Sequence, residues 1–172
     1  MNILKLAVLG AALSVFTVSA FAENNSCEDI IKNIPGTYTL VKRTMPDGTV
    51  YSGKQVQGTT MFAKDGHRVT AVTVDEGKRI FSAAVQTDYS LTSKEFTDTL
   101  DALVVQDGSA PLISEHNQPK KSVPVVCEDE KLTIKNPPVD PLSSLTFTKT
   151  GMTAVLNKGS DAGAIDEWKK VG

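Results

Sequence analysis

The chain has 172 residues, with 18 Lys and Arg against 20 Asp and Glu for a formal net charge of −2; 40% of its residues are hydrophobic and 6% aromatic. That length suits one domain around one core. The near-neutral balance, with lysines adjacent only at Lys120-Lys121 and Lys169-Lys170, excludes a phosphate-tracking surface, so no nucleic-acid partner is expected.

Met1 to Ala22 carries one lysine, Lys5, an apolar run from Leu6 to about Val18, and Ala20-Phe21-Ala22 ahead of Glu23. A run this short, with no stop-transfer pattern behind it, predicts a cleaved signal peptide over 1–22 rather than an anchor helix. Asn24-Asn25-Ser26 before Cys27 is not a lipoprotein pattern. No second apolar run approaches membrane length, so no membrane span is expected in 23–172 and the mature protein is expected to be periplasmic or secreted. In such a compartment the two cysteines, Cys27 and Cys127, are expected to form a disulfide. No His or Cys stands at zinc-like spacing from either one.

Taken in order, 27–34 predicts a short helix. Ser26 stands at its cap, Glu28 and Asp29 in its first turn, and Ile30, Ile31 and Ile34 on one side, before Pro35-Gly36 stops it. From Gly36 onward the punctuation is that of hairpins: Asp47-Gly48, Asp65-Gly66, Glu76-Gly77 and Asp107-Gly108 bound stretches rich in Val, Thr, Ile and Phe. Strands are expected near Thr37–Thr44, Gln57–Lys64, Arg68–Asp75, Arg79–Ser90, Glu95–Gln106, Ser122–Glu128, Lys131–Lys135, Ser144–Thr150 and Thr153–Lys158. Asp166–Val171 reads as strand or tail. Alternation is clean at Leu145 and Phe147 against Ser144, Thr146 and Thr148, and at Leu132 and Ile134 against Lys131, Thr133 and Lys135. Gly108 to Lys121, with two prolines and little periodicity, reads as a lid over a barrel mouth or an exposed excursion. The prolines at 137, 138 and 141 mark a rigid connection.

Eight or nine strands and no long helix predict an all-β fold. Closing the sheet removes its unpaired edges, which favours an up-and-down antiparallel β-barrel of about eight strands with a short N-terminal helix. A two-sheet sandwich is the alternative.

Ile34-Pro-Gly-Thr-Tyr-Thr-Leu-Val41, Pro46-Asp-Gly48, Gly58-Thr-Thr-Met-Phe62 and Asp65-Gly-His67, with the tail Asp166-Glu-Trp168-Lys-Lys-Val171, resemble the bacterial lipocalin-like domain family, a calycin-type β-barrel. In the wider superfamily an opening tryptophan packs on a late arginine at the closed end of the barrel. Here Tyr38 and Lys169 or Lys170 stand at those places, and the resemblance implies a lysine-on-tyrosine contact.

No nucleophile elbow, zinc-protease helix, phosphate loop or C-x-x-C is present, and the only histidines are His67 and His116. A histidine beside Asp75, Asp88 or Asp101 inside the barrel would allow isomerase or cyclase chemistry. Glu128-Asp-Glu130 reads as a hairpin tip rather than a calcium loop, and no metal or cofactor is assigned. The leading expectation is an exported protein binding a small apolar or amphipathic molecule in the barrel, with Leu40, Phe62, Val72, Phe81, Phe96 and Phe147 turned inward as ligand contacts. The alternative is an envelope interaction module or inhibitor with a filled barrel and partner-binding loops.

Overall fold

The computed structural model describes residues 27–138, 141–157 and 161–171. The expected signal segment, Met1 to Ala22, and the expected helix cap, Ser26, lie outside the described residues. A helix, α1, covers 27–33. Twelve strands follow among the described residues: β1 Gly36–Thr44, β2 Val50–Ser52, β3 Val56–Phe62, β4 His67–Asp75, β5 Ile80–Leu91, β6 Glu95–Asp107, β7 Ile113–His116, β8 Lys121–Glu128, β9 Lys131–Lys135, β10 Leu142–Phe147, β11 Gly151–Leu156 and β12 Ile165–Val171.

Ten of these close an antiparallel barrel in the order β1-β3-β4-β5-β6-β8-β9-β10-β11-β12, with β12 returning to pair β1 from Thr37↔Val171 to Thr44↔Ile165. The expectation of about eight staves is corrected to ten, with two extra short strands. The expected Thr153–Lys158 strand, whose Lys158 lies outside the described residues, corresponds to β11, Asp166–Val171 belongs to a separate stave, β12, and it is β12 that joins the last edge to the first. The extra strands extend existing hairpins. β2 continues the edge of β1 that β3 begins, and a 3₁₀ turn at Gly53–Gln55 leads from β2 into β3. β7 continues the edge of β6 that β8 begins, so part of the segment expected to be a lid or an excursion is a strand.

β8 divides its pairing: Lys121 to Pro124 bond to β6, and Val125 to Glu128 bond to β9. The outer edge of β7 therefore pairs with no strand among the described residues, and all four of its side chains are exposed. The Asp129-Glu130 tip takes positive φ at both residues (49° and 58°), the geometry of a two-residue hairpin turn that suits the strands' right-handed twist.

One end of the barrel is stoppered by α1. Cys27, Ile30 and Ile34 are buried against Tyr38, Phe62, Phe96, Leu132 and Phe147, and Cys27 is bonded to Cys127 of β8 with 5.8 Å between Cα atoms. The aromatic rings form a solid plug of edge contacts, with Phe62 5.3 Å from both Phe147 and Tyr89. Lys170 Nζ lies 5.8 Å over the Tyr38 ring and donates to the Asn33 carbonyl at the end of α1. The Tyr38 hydroxyl donates to Ile34 O at 2.8 Å. Burial pushes the Tyr38 pKa up to about 12, with the neighbouring Tyr89 adding to the rise.

Candidate functional site

Beyond the aromatic plug the barrel interior changes character. Strand parity brings Arg68 inward on the same face as Val72 and Val74. Arg68 donates from Nε to Thr87 Oγ1 (3.1 Å) and from Nη2 to Asp98 Oδ2 (3.2 Å), and its guanidinium lies 5.8 Å from the Phe62 ring centre. Arg68, Thr87 and Asp98 are all buried. A buried charge persists only where it is paired and hydrogen-bonded.

At the far end a second arginine turns inward. Tyr38 and Leu40 set the inner parity of β1, but the ladder to β12 shifts register between Leu40 and Lys42, and the bulge carries Arg43 to the inside. Arg43 makes a forked pair with Asp166 (2.7 and 2.8 Å) and a third bond to Asp161 at 2.6 Å. Burial opposes its charge, but the bond and charge of Asp166, with the charges of Asp161 and Glu76, outweigh that and hold its pKa above the ordinary value. Asp161 also accepts from Arg79 at 2.7 Å, and Arg79 in turn binds Glu76 and Asp107. The bond from Arg79 keeps the Asp107 carboxyl below its ordinary value. Phe81 is flanked by both guanidinium groups, 5.3 Å from Arg43 and 5.9 Å from Arg79.

Between these charged layers lies a cavity of about 90 Å³. β3, β4 and β5 line one side of it with Thr60, Phe62, Arg68, Thr70, Val72 and Phe81. β10, β11 and β12 line the other with Leu145, Met152, Ala154, Leu156 and Trp168. Thr60 and Thr70 share a hydroxyl bond of 2.6 Å in this wall. Val72, Phe81 and Ala83 point inward yet are only half-buried, as is Leu142 at the rim, so solvent reaches the cavity from the β5 and β10 side. Nearby, Val85, Leu100 and Leu103 form a separate small cluster with Val105.

Of the six expected ligand contacts, Phe62, Val72 and Phe81 line this cavity, while Leu40, Phe96 and Phe147 are packed in the core below it. Sequence reasoning missed Thr60, Arg68, Met152 and Trp168. The parity of β4 and β12 could have placed Arg68 and Trp168, but a strand arginine is ordinarily assigned to the wet face. Trp168 alternates with buried Asp166 on β12, is 6% exposed, and its Nε1 has no hydrogen-bond partner among the described residues.

A wider concavity of about 470 Å³ lies on the outer face of β3 to β6, where Thr59, Ala71, Ala84 and Val104 stand side by side in register. His67 and Asp88 are exposed cross-strand neighbours, Nδ1 to Oδ1 2.5 Å, and His116 is exposed on β7 beside Ser114; neither histidine lines the cavity. Among the described residues no group of three or more His, Cys, Asp or Glu could hold a metal ion, and no helix is long and apolar enough to cross a membrane. No family model, curated protein or solved structure matches the chain.

Proposed function

We propose that this is an exported lipocalin-like barrel that binds a small apolar or amphipathic molecule between its β3 to β5 and β10 to β12 walls. The observation that carries the reading is the mainly apolar, solvent-reached cavity between two layers of internally compensated charge. The Cys27–Cys127 bond supports an oxidising destination, periplasmic or extracellular, and the residue likeness to the lipocalin-like family supports the barrel more than any activity. Ordinary ligand pockets run to about 300–1,000 Å³. The cavity's size therefore restricts the occupant to a small molecule or to the narrow end of a longer one.

Native mass spectrometry of the purified protein is expected to show a retained small molecule or uptake from a fragment panel. Methyl shifts on binding should fall on Val72, Leu145, Leu156 and Met152. Binding that leaves those methyls unmoved would remove the barrel as the site.

A second reading, an envelope interaction module, is favoured by the outer concavity together with the unpaired edge of β7, where Ile113 and the adjacent Leu112 are exposed. A β-strand edge of this kind accepts an extended backbone. Capture of a partner that protects β7 amides from exchange while the cavity methyls stay still is the result that would favour it.

A further inference from the structure

The side-chain donors buried around the cavity find acceptors, with one exception among the described residues. Arg43 is bonded to Asp161 and Asp166, Arg68 to Thr87 and Asp98, and Thr60 to Thr70. Trp168 is the exception: its indole N–H, buried in the cavity wall, has no acceptor among the described residues. A buried N–H left without an acceptor forfeits the bond it made to water in the unfolded chain. The ring itself is held in place. Its six-membered edge packs over Gly58, where an added Cβ would come within 3.1 Å of Trp168 Cη2 and 3.0 Å of Leu40 Cβ.

Resting on the reading of the barrel as a small-molecule site, we propose that Trp168 Nε1 is the donor that orients the ligand, and that the ligand is a neutral molecule presenting a carbonyl or ether oxygen on a short apolar body. The chemistry narrows the class in three ways. An indole N–H only donates, so the group that meets it must be an acceptor, which disfavours an ammonium. The two arginines at the cavity already face three aspartates, Asp98, Asp161 and Asp166, so there is no surplus positive charge to hold a ligand carboxylate out of water. The size, about 90 Å³, is below the roughly 150 Å³ apolar cavity that takes benzene. Met152, Leu145 and Ala154 surround the apolar part, and the half-buried rim at Ala83 and Leu142 is where a longer chain would leave.

Trp168 is the sole tryptophan of the chain, so its indole N–H gives one ¹H–¹⁵N resonance in the whole protein. The test titrates the folded, oxidised protein with pentan-2-one, pentane and pentanoate. The expected result is a downfield indole shift with pentan-2-one alone. The ketone should also bind about three- to tenfold more tightly than pentane, the factor one neutral hydrogen bond supplies. In Trp168→Phe the ketone is expected to lose that advantage.

Equal binding of ketone and alkane by the unmodified protein overturns the donor role while leaving the barrel site standing. An advantage that survives Trp168→Phe does the same. Tighter binding of pentanoate overturns the neutrality of the ligand. Failure of all three probes to enter the barrel overturns the site and the donor role together. The comparison of probes on the unmodified protein decides the matter even if the variant folds poorly.

Discussion

Truncating Arg43 leaves Asp166 buried with no cation, while Asp161 keeps its bond to Arg79. Breaking a buried pair from one side costs about 3–5 kcal/mol, so Arg43→Ala is expected to lower urea stability by that order. Tyr38 contributes to the alkaline limit. Its folded pKa of about 12 lies above the unfolded value near 10, so the folded chain holds the proton longer. Its contribution is complete below pH 10 and falls as pH rises from 10 to 12; Tyr38→Phe should flatten that limb of a stability profile. Asp107 acts in the opposite sense, because Arg79 depresses its folded pKa. Its contribution is present above about pH 4 and is lost as pH falls further. These inner charges were the least legible residues in the sequence. The bulge after Leu40 inverts the parity of β1, and no pattern in KRT announces which residue is the extra one. Arg68, in contrast, sits on an unbroken alternation with Val72 and Val74, and only the habit of placing arginine outside hid it.

Among the elements, α1 is too short to stand alone, and its buried isoleucines and the Cys27–Cys127 bond hold it over the aromatic plug. The bond closes a chain separation of 100 residues, and the loop-entropy relation gives up to about 4.7 kcal/mol for a loop of that length. Cys27→Ser with Cys127→Ser is expected to cost about 2–5 kcal/mol in denaturant unfolding, with an equal loss on adding reductant to the unmodified protein. Gly66 makes the turn into β4 at φ +93°, and a Cβ there would meet Tyr89 O at 2.8 Å. Gly66→Ala should therefore cost about 1–3 kcal/mol by the same measurement. Nine of the ten staves were legible as β-branched runs, the earlier ones set apart by Asp-Gly and Glu-Gly turns, while β12 reads in the sequence as strand or tail. β2 and β7 were not. A three-residue strand and the four residues ISEH, set near Pro111 and Pro119, are too short to show a period, and only pairing along an existing edge makes them strands.

For the molecule as a whole, closure followed from having many strands and no long helix to cover them, and β12 meeting β1 is its physical outcome. How full the interior is depends on which side chains oppose one another across the barrel, and that register is invisible in a linear pattern. Half of the expected ligand contacts accordingly sit in solid core and half at the cavity. Ala154 is a buried small residue of the cavity wall, so Ala154→Leu is expected to occupy the space, keep or raise the melting temperature, and abolish ligand uptake in native mass spectra. Leu145→Ala should enlarge the space and cost about 2–5 kcal/mol. The divided pairing of β8 has a further consequence for how such a protein would admit cargo. Among the described residues no backbone rungs join β7 to β9, so along that seam the wall lacks the pairing that ties the other staves together. A passenger entering along that seam would come in through the flank, leaving both the helical stopper and the Arg43–Asp166 pair in place.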